Sequence, residues 1–172
     1  RWRHPEQGLL AASSFISLAE KIGMISRLGG WVIAQACTQA AAWVAEGHNI
    51  VIRVNISAQQ LRRSLVGEVQ GALAASKLPA GRLCLEMKES TLMDDVRESA
   101  SLLEQIRQTG VQIAVDDFGT GLSSLAYLKR LPIDILKIDR TFVSSVGVHQ
   151  ESTDIVRSIV GLAQNLNLGV VA

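Results

Sequence analysis

Five polar side chains interrupt runs that are otherwise apolar and largely β-branched: Asn55, Glu86, the adjacent pair Asp116 and Asp117, and Lys137. Each falls at or beside the C-terminal end of a predicted strand, and successive ones are separated by about one strand-plus-helix unit. In a parallel sheet all such ends lie on one side, so residues remote in sequence converge there. Three carboxylates and a carboxamide are hard oxygen donors, suited to Mg²⁺, Mn²⁺ or Ca²⁺ and poor for metals that prefer thiolate or imidazole. Adjacent carboxylates repel unless a cation lies between them. Asp116 is suited to bridge two ions while Asp117 holds one, an arrangement for in-line attack of metal-activated water on a phosphodiester. Lys137 then neutralises phosphate charge or positions the water. Taken singly, each has a plain structural role: an Asp caps the next helix, an Asn makes a turn, a Lys is a solvated end. Their joint occurrence on one face favours a site.

Smaller motifs sort around this cluster. Glu89, three residues beyond Glu86, is expected to tether a loop instead of binding metal. The stretch from Gly119 to Ser124 follows a strand; its glycines allow a sharp turn over the site, with the hydroxyls of Thr120, Ser123 and Ser124 free for local hydrogen bonds. Asp117-Phe118-Gly119 spells a kinase metal motif but lacks the companion kinase motifs. The glycine spacing with Asp139 imitates a dinucleotide fingerprint, but Ser124 stands at the third glycine and two carboxylates would face the pyrophosphate. His4, His48 and His149 are scattered among polar residues and are expected at the surface.

The elements that must position the cluster alternate. Helical spacing over 15–22 and an alanine-rich run over 28–46, stopped by Gly47, precede a strand over 50–56. Ser57 to Gln60 has a capping-box pattern that hands this strand to a helix. Strand-like runs at 83–87, 111–116, 135–139 and 168–172 alternate with helical runs at 94–109, closed by Gly110, around 125–129, and at 152–166. Five strands alternating with helices predict an α/β fold with a largely parallel sheet and right-handed crossovers. A full (β/α)₈ barrel needs about 250 residues, so the expectation is a TIM-like barrel truncated at both ends, with an open doubly wound sheet as the alternative.

A chain of 172 residues with 48% hydrophobic content and net charge +1 suits one globular domain, residues 1–172. With 17 basic and 16 acidic residues and 4% aromatics it offers no cationic stripe or stacking platform, which argues against a nucleic-acid polymer. The uncharged stretch 28–45 carries Gln35, Thr38 and Gln39 and reads as a packed helix, with no membrane segment expected. Cys37 and Cys84 lack metal or redox spacing and read as buried thiols in a reducing compartment.

Arg1 to Pro5, Val54-Asn55-Ile56-Ser57, Leu85 to Ser90, Asp116 to Gly121 and Leu136 to Arg140, in this order, together resemble the EAL domain family of bacterial cyclic di-GMP phosphodiesterases. The resemblance implies a modified TIM barrel that opens cyclic di-GMP to linear pGpG with Mg²⁺ or Mn²⁺ at a two-metal site, located in the cytoplasm even where the parent protein is membrane-anchored. By motif, Asn55, Glu86 and Asp116 would hold the first metal and Asp116 and Asp117 the second. Lys137 would contact the hydrolytic water or phosphate, and Arg1 a substrate phosphate. Glu89 would anchor the loop after Asp117, which lies near a homodimer interface in the family. The family's signature glutamate is expected before Arg1 and its general-base glutamate after Ala172, so residues 1–172 alone are expected to be inactive. Lys88 stands where Thr is usual and Leu122 where Tyr is usual. Those departures motivate the alternative of a degenerate domain that binds cyclic di-GMP without hydrolysing it, or a signalling scaffold.

Overall fold

The computed structural model describes residues 1–93, 95–120 and 128–172. Five strands, β3 (Ile52–Ile56), β4 (Leu83–Lys88), β5 (Gln112–Phe118), β6 (Ile135–Ile138) and β7 (Gly169–Val171), form one parallel sheet in the order β3-β4-β5-β6-β7. Strand order equals chain order, as simple βα repetition requires. The N-terminal segment adds an antiparallel hairpin of β1 (Trp2–His4) and β2 (Gly8–Leu10), which the sequence pattern did not predict.

Among the described residues the α-helices are α1 (Ile16–Lys21), α2 (Ile25–Ala45), α3 (Arg63–Ser76), α4 (Glu89–Met93), α5 (Val96–Arg107), α6 (Arg140–Val143) and α7 (Gln150–Asn165). Ile25, Gly29, Ile33, Cys37 and Ala40 make the buried stripe of α2, so that uncharged stretch is a packed helix as expected. No helix among the described residues is long and apolar enough to cross a membrane. The Ser57–Gln60 pattern caps a single 3₁₀ turn, Ala58–Gln60, and the true helix begins only at Arg63. Asp95 accepts from the backbone N–H groups of Arg97 and Glu98 at 3.0 Å each and starts α5 two residues later than the periodicity suggests. The predicted helical stretch around 125–129 lies mostly outside the described residues.

Period-two alternation assigns the two faces of the sheet. Val54, Ile56, Leu83, Leu85, Met87, Ile113, Val115, Leu136 and Ile138 join the main core with buried residues of α2, α3, α5 and α7. On the opposite face Cys84, Ala114 and Ile135 make a second, small apolar cluster against Val171. Arg53 and Asn55 pair in register with Cys84 and Glu86, and Lys88 with Asp116. Parallel partners share a face, so the polar groups stand beside the small cluster, toward the C-terminal ends of the strands. Both cysteines are buried free thiols.

Candidate active site

Glu86 is only 4% exposed, a placement that a carboxylate tolerates only with partners. It has two. Arg53 Nη1 donates to Oε1 at 3.3 Å, and Lys137 Nζ donates to Oε2 at 2.7 Å. Lys137 also lies 3.1 Å from Asp116 Oδ1, so one ammonium bridges carboxylates from two neighbouring strands. Burial pulls the Lys137 pKa down, but its bonds to Glu86 and Asp116 and their charges outweigh this and leave it above its ordinary value. Asn55 sits beside Glu86 in the ladder and is exposed.

Asp117 reaches this rim through the backbone. Simple alternation would send its side chain to the helix-packed face, opposite Asp116. Instead the β5–β6 register shifts between Val115 and Phe118, and Asp117 adopts φ +54°, in the left-handed region that non-glycine residues rarely occupy. Its N–H donates to Asp116 Oδ1 at 3.0 Å. Its carboxylate meets Lys88 Nζ at 2.9 Å, and this hydrogen bond and charge raise the Lys88 pKa.

Next along the chain, Gly119 N–H donates to Glu89 Oε2 at 3.2 Å, and the Thr120 hydroxyl donates to the Asp117 carbonyl at 2.9 Å. Gly119 has φ +99°, and a Cβ there would stand 3.0 Å from Ile159 Cδ1 and 3.2 Å from Phe142. Only glycine fits both the turn and the space. The remainder of the predicted glycine loop, 121–124, lies outside the described residues. Asp139 caps α6 by accepting from Thr141, whose hydroxyl and N–H hold its carboxyl below the usual range.

The structure therefore brings Glu86, Asp116, Asp117 and Lys137 together at one rim, with Asn55 next in register and Glu89 bonded to the adjoining turn. Arg1 is exposed at the start of the N-terminal hairpin and takes no part in these ion pairs. Arg53 belongs to the network although it was not anticipated. Its place two residues before Asn55, on the same strand face, was the available signal. Among the described residues no three Asp, Glu, His or Cys side chains close around a common point, and the ammonium groups of Lys88 and Lys137 pair with Asp117 and Asp116. The donor set nevertheless fits a hard cation: Lys137 Nζ already occupies a position shared by Glu86 and Asp116.

The EAL domain family model matches residues 1–172, and the chain belongs to that family. Over its whole length it is 47% identical to cyclic di-GMP phosphodiesterase NbdA of Pseudomonas aeruginosa, of which it spans 22%. It is 40% identical to cyclic di-GMP phosphodiesterase PdeR of Escherichia coli across the full chain, spanning 26% of that protein. The solved structure of the phosphodiesterase PaMucR in complex with c-di-GMP superposes with a TM-score of 0.94 at 45% identity, over 99% of this chain and 70% of that one. The chain thus spans about a quarter of the length of these curated relatives.

Proposed function

We propose that this EAL domain supplies the catalytic rim of a metal-dependent phosphodiesterase that linearises cyclic di-GMP to pGpG. The observation that carries the reading is the meeting of Glu86 and Asp116 around one cationic group, with Asp117 turned to the same rim by the bulge. Asn55, Glu86, Asp116 and Asp117 would hold Mg²⁺ or Mn²⁺, which when bound activates water and offsets phosphate charge. Lys137, fixed between two carboxylates, presents a permanent positive charge to a phosphate or holds water by hydrogen bonds. Arg53 pairs with Glu86 Oε1 and orients its carboxylate. The bond from Gly119 to Glu89 supports a tethering role for that glutamate. Arg1 is assigned to a substrate phosphate by family motif, and pairing of two copies through the segment after Asp117 is part of the same proposal.

The test is conversion of cyclic di-GMP by the full-length protein with Mg²⁺ or Mn²⁺, followed by chromatography of the nucleotides. The expected product is pGpG, lost in Asp116→Ala. A folded protein that binds cyclic di-GMP and yields no pGpG with either cation overturns hydrolysis. The ion pair between Lys88 and Asp117 favours a second reading, a receptor that binds without turnover. That reading requires ligand binding to survive Asp117→Ala in a protein with no metal-dependent activity.

A further inference from the structure

We propose that Lys88 is a tethered competitor for the metal, an ammonium that occupies Asp117 until a divalent cation displaces it and so sets the cation concentration at which the Asp117 position fills. The inference rests on the phosphodiesterase reading, since it takes Asp117 as a metal ligand.

Three features of the rim carry it. Lys88 is the last residue of β4 and the ladder partner of Asp116, so strand register delivers its side chain beside the two aspartates. The two members of the ion pair are unequally held. Asp117 sits in a bulge with its N–H bonded to Asp116, whereas the Lys88 side chain is 68% exposed and has Asp117 as its only ion-pair partner among the described residues. A long exposed side chain on one contact is readily displaced. Lys137 is held differently: its side chain is 22% exposed and is paired with two carboxylates, so it yields its contacts less readily than Lys88. Two adjacent aspartates therefore face two ammonium groups, one held by two carboxylates and one held by a single carboxylate. A divalent ion arriving at Asp117 must break the 2.9 Å contact and then tolerate the released charge nearby. The position of Lys88, between Glu86 and the loop-bonded Glu89, joins the same short segment to the ligand set and to the turn at Gly119.

The experiment is titration of the full-length protein with Mn²⁺ alone, free ion being read by electron paramagnetic resonance, for the parent protein, Lys88→Thr, Lys88→Arg and Asp117→Asn. Lys88→Thr should tighten the weaker Mn²⁺ site by about five- to tenfold, from Coulomb repulsion across partly solvated distances. Lys88→Arg should retain the parent affinity, and the gain should vanish when Lys88→Thr is combined with Asp117→Asn. Circular dichroism of each variant separates these effects from misfolding. Equal Mn²⁺ affinity in the parent and Lys88→Thr proteins overturns the competitor role and leaves the phosphodiesterase reading standing. Absence of Mn²⁺ binding in both overturns the metal site and the competitor role together.

Discussion

Replacing Glu86 by Gln removes one negative charge while preserving shape, and the structure indicates what that costs. Glu86 is 4% exposed and accepts from Arg53 at 3.3 Å and from Lys137 at 2.7 Å. Hydrogen bonds to charged groups contribute about 1.5–3 kcal/mol each, and removing one partner of a buried pair costs about 3–5 kcal/mol. Arg53 and Lys137 side chains are 34% and 22% exposed, so water recovers part of the loss. The expected destabilisation is about 2–4 kcal/mol, or about 5–12 °C in Tm for a protein of this size. Urea unfolding in EDTA reads it without any metal contribution. A Glu86→Met, Arg53→Met double variant, which leaves Lys137 paired with Asp116, should regain most of the loss, because the main penalty is an orphaned charge and not the missing pair. If Glu86→Gln unfolds at the parent midpoint, the rim is not held by these ion pairs, and the account of Glu86 as a buried, cation-balanced group fails.

Other expectations follow from single contacts. A Cβ at Gly29 would overlap the buried Gln60 amide, whose oxygen accepts from Ser57 N–H at 3.2 Å. Gly29→Ala should therefore cost about 1–3 kcal/mol in urea unfolding, largely recovered by adding Gln60→Ala. Under the proposed function, Gly119→Ala, at φ +99° against Ile159 and Phe142, should lower pGpG formation by the full-length protein about a hundredfold by moving the turn beside Asp117, with the far-ultraviolet spectrum retained. Asp95→Ala removes the cap of α5 and should cost about 1 kcal/mol by the same unfolding assay. Burial pushes the Cys84 thiol from its ordinary 9.0 up to about 11, so at pH 8 iodoacetamide should modify it only as fast as the protein opens. The folded state holds that proton more tightly than the unfolded state. The linked stability is therefore complete below pH 9.0, is lost as pH rises through about 11, and should disappear from the pH profile of Cys84→Ala.

The strand–helix cycle was legible because strands covered on both faces read as short apolar runs, and helices bear a stripe at the 3.6-residue period. All five sheet strands appear where those runs stand, with ends shifted by one or two residues. The N-terminal hairpin escaped because its strands have three residues each and Trp2-Arg3-His4 shows no alternation to read. Helix α6 escaped because four residues carry no period, and its cap, Asp139, resembled part of a dinucleotide motif.

For the rim, residue types and their strand-end positions were enough to gather Asn55, Glu86, Asp116 and Lys137, since in a parallel sheet position along a strand dictates side and level. Which charge meets which was settled only in three dimensions. Arg53 and Lys137 share Glu86 because register brings Arg53 one pleat below it and β6 carries Lys137 past it. Asp117 was expected beside Asp116 by chemistry, yet period two alone points it the other way, and the backbone bulge with φ +54° turns it back. A local pattern encodes alternation; an exception to alternation exists only where neighbouring strands impose it.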